Sequence, residues 1–328
     1  MFFQQKEFIM AKTNKQYRGR NVLIANIRHA TLTGSFKTKK NNVAAAKRFA
    51  ETLYELGYKV KKWRNIRNNH VAAVVKEWKE QGLTTATIKS YLSGVKAVAT
   101  GSNNNRIHTD NSQFGLGRRN YVATHSKAVP ENVFKKVMKE LQQSPNECFK
   151  RIAAQMLVMR LLGLRHEEAR KMDPRISLRK DGSIYISAGT KGGRDRILLK
   201  PTEEQTNAVK GLAPFIGRYG NSWPDNIKEK TWEKYTYKTI KALGLSIQAC
   251  GASLHGLRHA FAHSRYTELT NLQPPCLYSN PSEYRQAAYA EHGENWRTIH
   301  DQAVNLLAHE LGHNRSDVAV NYLGTIHG

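Results

Sequence analysis

Residues 311–322 read LGHNRSDVAVNY and place a histidine, His313, nine positions before a tyrosine, Tyr322. Nine residues of an α-helix turn through about 900°, so an unbroken helix would put these two side chains on opposite sides. Gly312 and Ser316 favour an interruption of the helix. We therefore expect a break that lets both side chains face one point. An isolated tyrosine is more often a packing residue, so its interpretation depends on the motifs that precede it.

Two upstream clusters place an arginine beside a second polar residue. In the run HGLRH, His255 and Arg258 are three positions apart and project together from the first turns of a predicted helix. That end of a helix carries partial positive charge and free N–H groups, which favour a phosphate. In the run GLRHEE, Arg165 and Glu168 share a helix face and are expected to pair. Taken alone, such a pair is most often a surface ion pair.

A predicted β-hairpin lies between these two clusters. Residues 183–187 and 196–199 contain alternating and β-branched side chains, and Gly192-Gly193 between them favours a turn. Lys191 lies beside the two glycines, where a lysine can reach the edge of a substrate. Most lysines on turns are only solvated, so Lys191 indicates a functional role only together with the other clusters.

The charge of the chain indicates a polyanionic partner. Its 328 residues include 52 Lys+Arg and 26 Asp+Glu, a formal net charge of +26. Residues 1–127 contribute +18 of this charge, with 24 basic and 6 acidic residues. Nucleic acid usually neutralises such an excess, and the N-terminal third is expected to bind phosphates. Charge alone leaves open a ribosomal protein or a merely soluble basic protein.

The hydrophobic pattern predicts two domains of mainly α structure with a small antiparallel β-hairpin sheet. Residues 1–40 lack sustained periodicity and are expected to form a basic arm that orders on DNA. Residues 41–125 predict a small helical domain and residues 130–328 a larger one, joined by the polar stretch 120–130. Apolar residues at helical spacing predict helices at 41–56, 70–81, 131–142 and 147–163, and a further helix with Thr85 as its N-cap.

Cysteine usage and hydropathy exclude secreted and membrane proteins. Cys148, Cys250 and Cys276 lie far apart without a CxxC pair, which excludes a disulfide framework or a zinc knuckle and indicates a reducing cytosol. The first residues lack the apolar run of a signal peptide, and no later stretch is long and apolar enough for a membrane span. We expect a cytoplasmic protein with packing thiols and no membrane partner.

Taken in order, the clusters resemble the catalytic signature of the tyrosine recombinases, the phage-type integrases. That signature is an arginine, a hairpin lysine, His-x-x-Arg, Leu-Gly-His and, nine residues after this histidine, a tyrosine. The matching positions are Arg165, Lys191, His255, Arg258, His313 and Tyr322. The resemblance implies a two-domain DNA clamp, with residues 41–125 as the helical core-binding domain and residues 130–328 as the catalytic domain.

The resemblance implies how the phosphate would be attacked. Tyr322 would attack the scissile phosphorus and leave a 3′-phosphotyrosyl bond, which stores the energy for rejoining. Arg165 and Arg258 would hold the non-bridging oxygens as negative charge builds there, and His313 would donate a further hydrogen bond. These cationic side chains stabilise the negative charge on the phosphate, as a metal ion does in other enzymes. The resemblance therefore implies neither a metal nor another cofactor.

The resemblance also implies the supporting roles and the partners. Lys191 would protonate the departing 5′ oxygen, and His255 would act as a base or hydrogen-bond partner near the tyrosine. Glu168 would brace Arg165. The partners would be double-stranded DNA with two recombination sites, three further copies in a homo-tetramer and a DNA-bending accessory protein. The enzyme would be bacterial or phage-encoded, nucleoid-associated, and would integrate or excise a mobile element.

Two features depart from the family pattern. Arg258 and His313 are 55 positions apart, more than the family usually needs. The sequence leaves the role of the insert around residues 270–298 open between contact with DNA and contact with a partner. Only six residues follow Tyr322, whereas many relatives send a C-terminal helix into a neighbouring subunit. The resemblance therefore gives no support to assembly by that route.

Three other interpretations compete with this one. Residues 309–313 read HELGH and match the HExxH helix of zinc proteases, but the positions of an extended motif hold Ser316 and Ala319, and a protease has no use for so much positive charge. A type IB topoisomerase uses a similar Arg/Lys/Arg/His/Tyr set, although the short spacing from Leu-Gly-His to the tyrosine favours a recombinase. The sequence also leaves open a catalytically silent DNA-binding protein of the same fold, although every catalytic position holds the expected type of residue.

Overall fold

The computed structural model describes residues 18–117, 122–123, 125–190, 193–313 and 315–327. The chain divides into two compact units, which we call unit 1 (Met1–Asn120) and unit 2 (Tyr121–Gly328). Both are mainly helical, and unit 2 adds a two-stranded antiparallel sheet, which confirms the predicted fold class. None of the helices in the described ranges is both long enough and apolar enough to cross a membrane.

Unit 1 is built on three helices, α1 (Phe36–Glu55), α2 (Asn68–Glu80) and α3 (Thr85–Gly101). Helices α1 and α3 pack at close range. A Cβ atom at Gly94 of α3 would lie only 2.7 Å from the Cβ atom of Ala45 in α1. Because real side chains do not approach so closely, a glycine is needed at this crossing.

The interior of unit 1 is apolar, and the polar groups buried in it are paired. The Trp63 indole N–H donates to the Leu23 carbonyl at 3.0 Å, and the Trp78 indole N–H donates to Thr52 Oγ1 at 3.1 Å. Asn104 is 3% exposed and donates to two backbone carbonyls at 2.8 and 2.9 Å. The Trp78 bond joins α2 to α1, and the bonds of Trp63 and Asn104 connect segments outside the three helices to the same core.

The capping residues of α1 and α3 lie earlier in the chain than the sequence pattern predicts. The helix predicted from residue 41 begins at Phe36, since Ser35 Oγ accepts the Thr38 N–H at 3.2 Å and caps it. The cap of α3 is Thr84 rather than Thr85, and its Oγ1 accepts a backbone N–H at 3.3 Å. The apolar spacing predicted the middle of each helix, whereas the capping residue determines where the helix begins.

The second half of the predicted N-terminal arm is structured. Residues 18–25 are helical and a 3-10 turn follows at Asn26–His29. Leu23 and Ile27 are buried in the core of unit 1. The short apolar run Val22-Leu23-Ile24-Ala25 therefore belongs to the helical unit, and residues 1–17 lie outside the described residues.

The helices of unit 2 are, in chain order, α4 (Glu131–Gln143), α5 (Glu147–Leu162), α6 (His166–Lys171), α7 (Pro174–Ser177), α8 (Glu203–Lys210), α9 (Glu229–Ala242), α10 (Ile247–Cys250), α11 (Gly256–Thr270), α12 (Pro281–His292), α13 (Trp296–Glu310) and α14 (Val320–Leu323). The helix α11 is mostly buried and packs against α5, α13 and α14. It is therefore the element around which the other parts of the site gather.

The predicted hairpin is confirmed, but its connection is longer than a tight turn. Strand β1 (Ile184–Ile186) pairs antiparallel with β2 (Arg196–Leu198), and nine positions of sequence separate the two strands. Gly189, in this connection, lies against α6, where a Cβ atom would be 2.8 Å from the Glu167 carbonyl oxygen. Gly189 also has a φ of +76°, a left-handed conformation that favours glycine.

The insert at residues 270–298 contributes to a core. It supplies α12 and the start of α13, which pack with α11 around an apolar cluster separate from the main core of unit 2. Buried residues of the insert, such as Tyr284 and Trp296, share this cluster with Tyr322. The insert therefore helps to hold the segment that carries this tyrosine.

Candidate active site

The site is organised around one buried carboxylate, Glu168 of α6, which is 0% exposed. Its Oε1 accepts from Arg165 Nη1 at 2.6 Å, and its Oε2 accepts from Arg196 Nη2 at 2.9 Å. Arg258 Nη1 lies 3.9 Å from the same Oε2. One carboxylate therefore gathers three guanidinium groups from three different elements.

A tight turn between α5 and α6 sets this geometry. Helix α5 ends at Gly163, which has a φ of +61° and lies so close to Phe261 that a Cβ atom would be 2.5 Å from its ring. Helix α6 begins three residues later, with Arg165 as N-cap. Glu168 Oε2 accepts the Arg165 backbone N–H at 2.8 Å, so the predicted pairing of these two residues also caps the helix.

Arg258 of α11 is fully buried and joins distant parts of the chain. It donates to the carbonyls of Gly163 and Leu311, both at 2.6 Å. Its Nε donates to Tyr322 Oη at 3.1 Å, and its Nη2 lies 3.1 Å from His313 Nε2. Because a guanidinium group only donates, His313 Nε2 is the acceptor in this arrangement.

The break expected between His313 and Tyr322 is present. Helix α13 ends just before Gly312, which has a φ of +69°, and the His313 N–H donates back to the Ala308 carbonyl at 2.8 Å. A 3-10 turn at Ser316–Ala319 and the short helix α14 follow. The ring centroids of His313 and Tyr322 are consequently 6.0 Å apart.

Arg196 is a part of the site that the sequence reading missed. It is the first residue of β2, opposite Ile186 of β1, and is 6% exposed. It donates to the Leu311 carbonyl at 3.1 Å, and a Cβ atom at Gly312 would lie 3.1 Å from its Nη1. The available signal was a charged residue in register with a buried residue of a predicted hairpin.

The charges around Glu168 leave the site positive. Burial raises the pKa of Glu168, but Arg196, Arg165 and the Arg165 backbone N–H together bring it below its ordinary value. Burial lowers the pKa of Arg196 to about 10, which leaves this guanidinium charged at neutral pH. Together with Arg258, three cations face one anion. The net positive charge complements a phosphodiester, and more so a transition state that gains negative charge.

The N-cap residue His255 and two histidines of α11, His259 and His263, face the segment that carries Tyr322. The ring centroids of His255 and His259 are 6.3 and 4.7 Å from that of Tyr322, and His263 Nε2 is 2.9 Å from the Tyr322 carbonyl oxygen. Burial, aided by Arg258, lowers the pKa of His255 to about 4, and burial lowers the pKa of His259 to about 3. Both rings are therefore neutral at neutral pH.

The sequence reading assigned a role to His255 but not to His259 or His263. The signal was present, because these three residues follow one another at i, i+4 and i+8 along one helix face. Nothing in that spacing says that the face meets a tyrosine more than 50 positions later in the chain.

The structure places most of the predicted site residues in one region of unit 2. The residues that it brings together are Arg165, Glu168, His255, Arg258, His313 and Tyr322. Lys191 lies outside the described residues. Gly189, which is described, lies against α6, where a Cβ atom would be 3.0 Å from the Glu168 backbone nitrogen.

The HELGH motif has a different environment from that of a zinc protease helix. Glu310 accepts from Arg265 Nε and Nη2 at 3.1 and 2.9 Å, and His309 is exposed. Across the described parts of the chain, no group of three or more His, Cys, Asp or Glu residues is arranged to hold a metal ion. Glu310 is thus part of an ion pair between α11 and α13.

Two known sequence families match the chain. The family described as "Phage integrase, N-terminal" matches residues 19–107, and the family described as "Integrase" matches residues 117–264. No curated protein matches the chain. The first match falls in unit 1, and the second covers Arg165, Glu168, His255 and Arg258 of unit 2.

Solved structures of similar fold include three DNA complexes. The Tn1549 transposon integrase with transposon right end DNA has 14% identity, a TM-score of 0.53, and coverage of 94% of this chain and 95% of that chain. The lambda integrase tetramer on a Holliday junction has 16% identity, a TM-score of 0.55, and coverage of 96% and 78%. The XerH recombinase on a palindromic difH substrate has 16% identity, a TM-score of 0.54, and coverage of 87% and 76%. At these identities the likeness is one of fold.

Proposed function

The chain belongs to the tyrosine recombinase family of phage-type integrases, and from this premise we propose that it cuts and rejoins DNA through a phosphotyrosyl bond at Tyr322. The observation that carries the proposal is the hydrogen bond from Arg258 Nε to Tyr322 Oη at 3.1 Å. This phenol oxygen lies beside a cluster of net positive charge, which favours attack on a bound phosphate.

In the proposed reaction, Tyr322 Oη attacks the scissile phosphorus and the bond from phosphorus to the 5′ oxygen breaks. Arg165 and Arg258 hold the non-bridging oxygens, as their shared contact with Glu168 supports. In the DNA-free chain His313 Nε2 accepts from Arg258. To donate to the phosphate, His313 must exchange this contact for an oxygen of the substrate.

Proton transfer accompanies each step of the proposed reaction. His255 is neutral at neutral pH and accepts the proton of Tyr322, because a nearby phosphate anion raises the basicity of the ring. Lys191 gives a proton to the departing 5′ oxygen. In rejoining, the 5′ hydroxyl of a partner strand attacks the phosphotyrosine, and both proton transfers run backwards.

DNA binding is proposed for both units. Residues 1–127 carry +18 of the net charge, which supports strong and salt-dependent phosphate binding by the predicted core-binding domain at 41–125 together with the preceding residues, of which 18–40 belong to the same helical unit. The domain at 130–328 carries the chemistry. We extend the assembly named for lambda integrase to this chain and propose a homo-tetramer on two recombination sites, in the cytoplasm of a bacterium. It would integrate or excise a mobile element, with a DNA-bending accessory protein.

The test is covalent trapping on a nicked suicide substrate that contains the DNA flanking the native gene. We expect wild type to form an SDS-resistant protein–DNA adduct in the presence of chelator, and Tyr322→Phe to form none while binding the same DNA. Tyr266→Phe is the matched control, because Tyr266 is a buried tyrosine of unit 2 that contacts Tyr284 and His300 instead of Arg258.

Each outcome of the trapping experiment has a distinct meaning. An adduct that requires Tyr322 and one specific sequence supports a recombinase. An adduct on any DNA indicates a topoisomerase-like relaxing enzyme instead. Tight binding without an adduct on any substrate would contradict the proposed chemistry and indicate a silent DNA-binding protein.

A further inference from the structure

We propose that His263 and His259 of α11 are positioning residues that fix the orientation of Tyr322 for attack. His263 does so through the Tyr322 backbone carbonyl and His259 through the face of the Tyr322 ring. The inference rests on the proposed function, in which Tyr322 is the nucleophile. Neither histidine needs to touch the substrate.

The segment around Tyr322 needs tertiary contacts because its own structure is short. Helix α14 has four residues, and isolated helices below about 12 residues are marginal in water. The carbonyls of its last residues have no partners within the helix. One contact comes from the other side, where the Ala123 N–H donates to the Val320 carbonyl at 3.1 Å. Further contacts come from α11 and from Cys276.

His263 satisfies one of the carbonyls at the end of α14. Its Nε2 is 2.9 Å from the Tyr322 oxygen, and since a carbonyl only accepts, the ring must carry its proton on Nε2. Cys276 Sγ lies 3.6 Å from the same oxygen and 3.6 Å from His263 Nε2. The bond is buried, so losing the donor would leave this carbonyl without a strong partner.

His259 limits the orientation of the Tyr322 ring. The two ring centroids are 4.7 Å apart with an interplanar angle of 49°, closer than the rings of His255 and His313, which lie 6.3 and 6.0 Å from that of Tyr322. His259 is itself buried, so its ring has little freedom to move away. A flat side chain at this position restricts rotation of the tyrosine ring about its own side-chain bonds.

Three points on one rigid helix therefore hold three parts of one tyrosine. Arg258 contacts the phenol oxygen, His259 the ring and His263 the backbone carbonyl. The same helix carries Arg258 as a phosphate-binding group. Helix α11 therefore positions both the nucleophile and the phosphate. This shared support matters because a misplacement of about 1 Å can reduce the rate by a factor of about 100.

The test measures the rate of adduct formation in a single turnover on saturating suicide substrate, with DNA affinity measured separately. We expect His263→Leu to slow adduct formation about tenfold or more and to leave the DNA dissociation constant within about twofold of wild type. His263→Gln should restore the rate to within about threefold, because its Nε2 can donate to the same carbonyl. His263→Asn keeps polarity but is too short, and should be slow.

The His259 position is tested by the same assay. His259→Ala should slow adduct formation by a similar factor, whereas His259→Phe, which keeps a flat ring, should stay within about threefold of wild type. The matched control is His292→Leu. His292 Nε2 donates to the Thr270 carbonyl at 2.6 Å, a bond of the same kind in the same unit that is made away from Tyr322.

Three results would overturn the positioning role. The first is a wild-type rate for His263→Leu, and the second is an equal loss in His263→Leu and His263→Gln, which would indicate general destabilisation. The third is an equal loss in the His292→Leu control. Absence of any adduct in wild type would instead remove the proposed function, and the positioning role with it.

Discussion

The interiors of the two units differ in what they bury. In unit 1 the described buried residues are almost all apolar, and the polar exceptions, Thr52 and Asn104, are neutral. In unit 2 the interior includes charged side chains, among them Glu168, Arg196 and Arg258. The basic charge of unit 1 is thus carried on its surface, whereas unit 2 places part of its charge inside.

The apolar core of unit 1 and the buried charges of unit 2 have different physical roles. An apolar core stabilises a fold, whereas a buried ion network is stable only while every partner is present. Unit 2 contains such a buried ion network at the place where three arginines lie close together. We therefore expect substitutions of single charges to affect unit 2 far more than unit 1.

The largest expected effect is that of Glu168→Gln. Removing the carboxylate that Arg165, Arg196 and Arg258 share leaves three cations near one another, and we expect unit 2 to lose about 3–5 kcal/mol of stability. Urea unfolding followed by hydrogen exchange of α11 peptides measures this loss. The same change at Glu80, in an exposed pair with Lys76 of unit 1, should cost less than about 0.5 kcal/mol. Similar costs at both positions would remove the contrast between the units.

The next effect is on catalysis. Arg258→Lys keeps the charge but loses the fork that reaches Gly163, Leu311 and Tyr322 at once, so adduct formation should fall by a factor of about 100–1,000. The control is Arg170→Lys, another buried arginine of unit 2, whose partners are Glu229 and Glu233. A loss in Arg258→Lys no larger than in this control would show that burial of an arginine, rather than its position, is what matters.

Acid should weaken unit 2 more than unit 1. The pKa of His259 is about 3 in the folded chain and about 6.5 in the unfolded chain, so the unfolded state binds the proton first. Stability from the neutral ring is complete above pH 6.5 and falls as the pH drops toward 3. For this one residue the loss between pH 7 and pH 5 should be about 2 kcal/mol.

The pH effect is measured as the change in unfolding free energy between pH 7 and pH 5. His259→Phe should reduce this change, because it removes one group that takes up a proton on unfolding. Hydrogen exchange resolves the two units, with α1 peptides as the internal reference. An unchanged pH dependence in the variant would mean that the folded His259 titrates normally.

The smallest effect is expected for an ion pair of unit 2 that lies nearer the surface. Arg265 and Glu310 join α11 to α13 at 2.9 Å, with side chains 31% and 12% exposed. Arg265→Gln should cost about 1 kcal/mol or less, as for partly solvated pairs elsewhere. A cost as large as that of Glu168→Gln, seen in thermal unfolding, would mean that charge in unit 2 matters irrespective of burial.

The sequence by itself determined the class of fold, most helices and the candidate residues. Apolar spacing is a local property, because residues three and four apart share a helix face wherever the helix lies. For the same reason the pairing of Arg165 with Glu168 was predictable, and so was the interruption at Gly312. The start of α1 at Phe36 and the N-cap of α3 at Thr84 were predicted less accurately, since one polar cap outweighs the apolar pattern there.

Only the tertiary structure decided how these residues meet. Arg258 reaches Gly163 and Tyr322 across 95 and 64 positions of sequence, and no local pattern encodes such contacts. It is also the tertiary structure that brings Arg196 to Glu168 and turns His259 and His263 toward the tyrosine. Helix and strand faces follow from neighbours along the chain, whereas a shared buried charge depends on which elements pack together.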